Sequence, residues 1–338
     1  MPTPYTPSPG IGATDPALPD GPPVNLASAR EALDNRRYLR GATWGLLTGS
    51  GRFEVGGTAT TPTVVVGAIE AIVLRRSSGA VRAFFAGETT TSGKAWSSAI
   101  GYAAGDHVVS GGTVWRALGT VAPGAAAPSA GPSWAEGLAA DDWYYAYAIN
   151  AGTDAASSMA FELSRTGPTA SGLFKDDGAP TELKRYLGCF RTDSTGKPFP
   201  MLAVRGRCLY RRSAIASVDG AFGANGLRAV PIATGVTART DLDLSARVPP
   251  HARRAVLVAH VLLTSGSGAS AASTDLYDAA DTTSPSQSVT ALVAATGDKA
   301  QATGRCEVQL TSAQLCGYAI VSAVGTANGA VDVMGWEE

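Results

Sequence analysis

The sequence predicts a mainly β protein: an extended N-terminal arm and a short helix, then several β-sandwich or β-barrel-like domains with a small Trp-rich β insertion. Three observations lead there. Runs of β-branched and aromatic residues recur from position 44 to the end of the chain. Gly, Ser and Thr turns separate them at roughly 8–12 residue spacing, the rhythm of sandwiches and barrels. Pro residues crowd the start, and one stretch alone, 25–40, carries apolar residues at helix-like spacing. A chain of 338 residues is long enough for two or three domains at about 100–200 residues each.

Residues 1–24 hold Pro at 2, 4, 7, 9, 16, 19, 22 and 23. Proline fixes φ and lacks the N–H, so this segment is neither helix nor inner strand and reads as an extended arm. The helix is expected over 25–41. Asn25 can accept the orphan N–H groups of its first turn, and Gly41 can end it. Leu26, Ala29, Leu33 and Leu39 form an apolar stripe opposite Arg30, Glu31, Asp34, Arg37 and Arg40. Such a stripe needs a surface, either a symmetric three-fold bundle or the first β domain.

A first β domain is expected over 42–93 and 137–245, interrupted by a Trp-rich module at 94–136. A C-terminal sandwich follows at 246–338. Strands are predicted at 63–66, 68–74 and 81–86, the last two joined as a hairpin through the turn at 77–80. Others are predicted at 143–150, 159–164, 184–192, 201–210 and 228–231. The C-terminal set is 256–263, 289–295, 305–310, 317–324 and 330–336, with loops at 265–273 and 282–288.

Hydrophobic residues make up 45% and charged residues 16%, enough apolar material for packed cores and too little charge for a disordered chain. A formal net charge of −1 lacks the footprint of a nucleic-acid binder. The Arg pairs at 36–37, 75–76, 211–212 and 253–254 are isolated and read as solvated strand or helix ends. The start lacks the basic and apolar regions of a secretory signal, and no apolar run reaches the ~18 residues of a membrane span.

Four cysteines stand at 189, 208, 306 and 316, without Cys-x-x-Cys or zinc-type Cys/His spacing. Cys189 and Cys208 lie in apolar runs and read as buried strand residues. Cys306 and Cys316 are close enough in sequence to bridge a hairpin, which the sequence leaves open. Free thiols fit assembly in a reducing cytoplasm. Of the three histidines, His107 follows a Gly-Asp turn and reads as a loop residue. His251 lies in a Pro-rich connector and His260 in an apolar strand. No Gly-x-Ser-x-Gly, His-Glu-x-x-His or Walker-type loop occurs. The acidic pairs Asp141-Asp142 and Asp176-Asp177 read as solvated turn residues. The expectation is a non-enzyme with no cofactor and no metal.

Three stretches resemble phage proteins. The first, Asn25-Leu26-Ala27-Ser28-Ala29-Arg30-Glu31-Ala32-Leu33 through Tyr38-Leu39-Arg40, resembles the helical start of tail-associated proteins that follows a Pro-rich arm. The second joins Trp143-Tyr144-Tyr145-Ala146-Tyr147-Ala148-Ile149-Asn150 with Phe161-Glu162-Leu163-Ser164 and Tyr186-Leu187-Gly188-Cys189-Phe190-Arg191-Thr192-Asp193-Ser194-Thr195-Gly196. It resembles a β domain of phage fibres in which "W-Y-Y-V-Y" precedes "Y-R-R-I-G-S-F-R-T-D-x-x-G"; this chain is shorter between Tyr186 and Gly188. The third, Tyr318-Ala319-Ile320-Val321 with Val331-Asp332-Val333-Met334-Gly335-Trp336, resembles the closing strands of the same proteins.

Within 94–136, Trp96, Tyr102, Gly105-Asp106, Val108, Trp115 and Trp134 resemble small chitin-binding-type carbohydrate-binding modules. There, exposed aromatics stack on sugars after the third strand. Here that place reads Leu118-Gly119-Thr120-Val121.

These resemblances imply a virion structural protein of a phage or phage-like particle, attached at the tail fibre or baseplate and assembled in the host cytoplasm. They imply a homotrimer, other virion proteins as partners, and attachment through Leu26, Ala29, Leu33 and Tyr38. A capsid decoration or head-fibre protein is the first alternative. A glycan-binding adhesin is the second, contacting host-surface glycan through Trp115, Trp96 and Trp134.

Overall fold

The computed structural model describes residues 44–48, 52–67, 69–74, 81–86, 89–150, 159–168, 183–204, 207–211, 227–279, 281 and 283–338. They form 22 antiparallel-paired strands in five sheets, with no helix among the described residues. The arm at 1–24, the helix at 25–41 and the attachment residues Leu26, Ala29, Leu33 and Tyr38 lie outside them, as does Asp176-Asp177.

The largest sheet has nine strands. Its C-terminal part comprises β17 (Arg254–Thr264), β20 (Lys299–Gln309) and β22 (Thr326–Glu337), with β15 (Leu227–Thr234) alongside β22. It continues through β14 (Arg207–Tyr210), β13 (Met201–Val204), β2 (Arg52–Gly57), β3 (Pro62–Val66) and β6 (Thr89–Thr91). Strand composition follows position. Central β17, Arg-Ala-Val-Leu-Val-Ala-His-Val-Leu-Leu-Thr, is buried along both faces from Ala255 to Val261. Edge strand β20 alternates exposed and half-buried residues over most of its length, as a one-sided strand must. The far edge of β22 is shared: β15 pairs along Asn328–Val333 and β14 along Gly335–Glu337. Strands on either side of position 245 thus share one hydrogen-bonded sheet, because β22 inserts between β17 and β14.

A four-stranded sheet of β16 (Thr240–Asp243), β21 (Leu315–Ser322), β18 (Ser270–Tyr277) and β19 (Gln287–Val293) faces the large one. Val261 and Leu263 from one layer meet Ala272, Ala291 and Ile320 from the other. The Thr274 hydroxyl donates to the His260 carbonyl across the layers, 2.7 Å. β18 takes the later part of the expected loop at 265–273, from Ser270 on, into a strand, while 265–269 stay outside any strand. Its Ser, Ala and Thr residues gain burial from the facing layer, a cause that hydrophobic patterning does not record. The 201–210 run is likewise two strands, paired as β13 and β14.

β1 (Trp44–Thr48), β4 (Ile69–Leu74) and β5 (Val81–Ala86) form a separate three-stranded sheet, with the expected hairpin pairing of β4 and β5. β7 (His107–Ser110), β8 (Thr113–Ala117) and β9 (Trp134–Glu136) form the sheet of the Trp-rich module.

The residues of the fibre-like motif fall together. β10 (Trp143–Asn150) is the centre of a sheet between β11 (Met159–Ser164) and β12 (Leu183–Arg191). The register passes from Ala146–Gly188 to Tyr147–Tyr186, so Leu187 is the bulged residue. Gly188 is required beside it, since a Cβ there would lie 2.8 Å from the Phe53 ring.

The corner after β12 is built by Thr192 and Asp193. The buried Thr192 hydroxyl donates to Ala139 O (2.7 Å) and accepts from Asp142 N–H (3.0 Å). Asp193 Oδ1 accepts from Thr195 and Lys197 N–H. Burial pushes this carboxyl up, but those hydrogen bonds and the Lys197 charge outweigh it and hold it below the usual carboxylate range. Replacing Thr192 with Val should cost about 1–3 kcal/mol, since it strips two partners from the 139–142 turn. Urea unfolding of the variant beside the parent measures it, and an unchanged midpoint would show that the turn holds without this hydroxyl.

Candidate functional site

The Trp-rich module has its own small core of Tyr102, Val108, Ala117, Val121 and Trp134. Gly105, at φ 90°, and Asp106 make the expected tight turn. Asp106 Oδ2 accepts the Ala103 N–H at 2.7 Å, and Gly105 N–H donates to Ala117 O at 2.8 Å. Trp134 is 4% exposed and meets Tyr102 edge-on at 5.6 Å. It fills the core, so it cannot stack on a sugar without vacating that position. Trp96 and Trp115 are half-buried and pack against the same core. The large apolar residue most open to solvent in this module is Leu118, at 50%.

Where the module meets β11, a cavity of about 280 Å³ is lined by Lys94, Tyr102, Asp106, His107 and Glu162 among others. His107 is not a loop residue. It begins β7, is 4% exposed and packs edge-on against the Tyr144 ring at 5.0 Å. Burial, with the Arg116 and Arg165 charges added, lowers its pKa to about 3.

His260 is buried in the large sheet. Its Nδ1 lies 3.1 Å from the Thr303 hydroxyl and its Nε2 3.1 Å from Asp332, which Arg228 also engages. These contacts satisfy polar groups on four adjacent strands. Cys306, on β20, and Cys316, on β21, are buried free thiols. The hairpin bridge the sequence left open does not form, because residues 310–314 carry the chain from one sheet to the other. Asp142 pairs with Arg165, and Asp141 lies 3.6 Å from Arg191, so this acidic pair is a turn anchored by ion pairs.

A second cluster gathers side chains from segments far apart in sequence. Cys189 on β12, His251 in the connector before β17, and Glu338 after β22 place one donor atom each within 4.8 Å of one another. His251 Nε2 lies 3.1 Å from Glu338 Oε1, and Cys189 Sγ 3.9 Å from the same oxygen. Cys208 Sγ on β14 is also 3.9 Å from it. The Tyr186 hydroxyl donates to that oxygen at 2.5 Å and sits 3.1 Å from His251 Nε2. The chain is forced into this arrangement locally. Gly335 lies against the β14 backbone, where a Cβ would meet Cys208 O at 1.9 Å, and this close approach delivers Glu338 beneath β12 and β14.

Both thiols are fully buried. Burial, reinforced by the Glu338 charge, pushes each well above the usual thiol value, and the Tyr186 phenol is raised by the same causes. Sequence reading placed Cys189 and Cys208 correctly as buried strand residues and His251 in a connector. It missed their convergence, because separations of 62 residues from Cys189 to His251 and 87 from His251 to Glu338 leave no local spacing to detect.

No family model matches this chain, and no curated protein matches it. Among solved structures, the T13 infectious bursal disease virus particle aligns at 10% identity over 87% of this chain and 68% of that chain, with a TM-score of 0.17. A structure of the Gx strain of the same virus aligns at 11% identity over 86% and 68%, also with a TM-score of 0.17. At these scores neither fold nor function of this chain follows from the likeness.

Proposed function

We propose that this chain is a non-enzymatic structural protein of a phage or phage-like particle, a tail-fibre or baseplate-attached component acting as a homotrimer among other virion proteins. The observation that supports this reading is the coherence of the fibre-like motif. Its separated pieces, 143–150, 161–164 and 186–196, are neighbours in one three-stranded sheet closed by the Thr192–Asp193 corner. A motif spread over more than fifty residues that folds as one unit is what a shared domain would give. The surrounding layers suit an assembly role: long antiparallel strands and low charge, 16%, favour a chain that spends its surface on partners.

Gold-labelled antibody against the chain, applied to intact particles from the producing cells, tests the proposal by electron microscopy. Label at the tail end is the expected result. Label over the head would replace the tail assignment with capsid decoration. Protein confined to the lysate, with unlabelled particles, would overturn the structural reading altogether.

A further inference from the structure

We infer that Cys189, His251 and Glu338, with Cys208 beside them, form a binding site for a borderline-soft divalent cation of the Zn²⁺ type. The donor set fits. Thiolate, imidazole and carboxylate are the ligands such ions take, and oxygen-loving Mg²⁺ or Ca²⁺ would not choose sulfur.

The spacing fits as well. Ordinary Zn–S and Zn–N/O bonds at tetrahedral angles put sulfur about 3.5 Å from oxygen and nitrogen about 3.3 Å from oxygen. The corresponding separations are 3.9 Å for Cys189 Sγ to Glu338 Oε1 and 3.1 Å for His251 Nε2 to Glu338 Oε1. The third separation, Cys189 Sγ to His251, lies within 4.8 Å, against about 3.5 Å across such a shell, so side-chain adjustments of up to about an ångström close it. Cys208 Sγ, at 3.9 Å from the same oxygen, and the Tyr186 hydroxyl are the neighbours able to complete or buttress a fourth position.

The His251 side chain is 9% exposed, and Nε2 is the ring nitrogen turned toward the cluster, 3.1 Å from Glu338 Oε1. The Glu338 carboxylate, its side chain 21% exposed, thus faces the two thiols, the imidazole and the Tyr186 hydroxyl, brought together from β12, β14 and the connector. A divalent cation would take the thiol proton's place on Cys189 and neutralise the carboxylate together. It would also tie β12, β14, the 249–252 connector and the end of β22 into one unit, fastening the fibre-like sheet to the large sheet.

The test uses the full chain, stripped with chelator and loaded with Zn²⁺ or Co²⁺ alone. One tightly held Zn²⁺ per chain after dialysis is expected. Co²⁺ should give a thiolate-to-metal charge-transfer band and the visible bands of a tetrahedral site. Cys189→Ser and His251→Gln should each weaken Zn²⁺ binding by at least about a hundredfold, more than the loss of an outer-shell partner brings. Leu292→Ala, at an exposed side chain on β19, should leave it unchanged. Equal binding in parent and both variants would overturn the inference. So would a Co²⁺ spectrum of the parent without a thiolate band, a readout that stands even if a variant fails to fold.

Discussion

Replacing Trp336 with Ala should destabilise the chain by about 3–5 kcal/mol, the cost of emptying a large aromatic site in a packed core. Trp336 is 0% exposed on β22, paired with Cys208 on one side and Ala255 on the other. Its ring stands edge-on to Trp143 at 5.4 Å and 90°, and to Tyr210 at 5.5 Å and 64°. One side chain thus joins the fibre-like sheet, the β13–β14 hairpin and the C-terminal strands, so the cavity cannot collapse by moving one element. The indole N–H has no hydrogen-bond partner among the described residues. Trp336→Phe keeps an aromatic ring and removes that orphaned donor, and it should cost less than about 1.5 kcal/mol. Urea unfolding followed by circular dichroism separates the two variants. Near-equal midpoints for Ala and Phe would mean that the ring contributes little and the two sheets are held together elsewhere.

How far the sequence discloses this architecture depends on where each strand gets its burial. β3, β5, β10, β12, β17 and β22 announce themselves because Val, Ile, Phe, Tyr and Trp residues carry them. β18 does not, because its Ser-Ala-Ala-Ser-Thr segment is strand only through the layers around it. β2, β6 and β16 are short or mixed in composition, and their pairing is settled by neighbours distant in sequence. The same holds for sites. Trp134 is named by its motif and proves to be core. The Cys189–His251–Glu338 cluster has no motif, because the fold brings together three segments whose separations carry no periodicity. His107 is misread for a related reason. A residue just after a Gly-Asp turn usually faces water, but here Tyr144 of a different sheet closes over it.

That enclosure makes His107 an acid-sensitive point. The ring is neutral in the fold, with its pKa lowered to about 3 first by burial and then by the Arg116 and Arg165 charges. The carboxylates of Asp106 and Glu162, which line the adjoining cavity, do not reverse this balance. In the unfolded chain the ring protonates near the ordinary histidine value of about 6.5. Above that pH both states are neutral, and His107 adds no pH dependence. Below it the unfolded chain takes up a proton that the fold refuses, so stability falls as pH falls, until about pH 3, where both states are protonated. The slope is about 1.4 kcal/mol per pH unit, or about 2 kcal/mol lost between pH 7 and pH 5. His107→Phe preserves an edge-on ring against Tyr144 and abolishes the titration. The difference in unfolding free energy between parent and variant should therefore shift by about 2 kcal/mol in the variant's favour over that interval, with all other titrating groups cancelling. Parallel pH profiles for the two proteins would show that His107 can be protonated in the fold, and that the junction between the module and β10 opens to water.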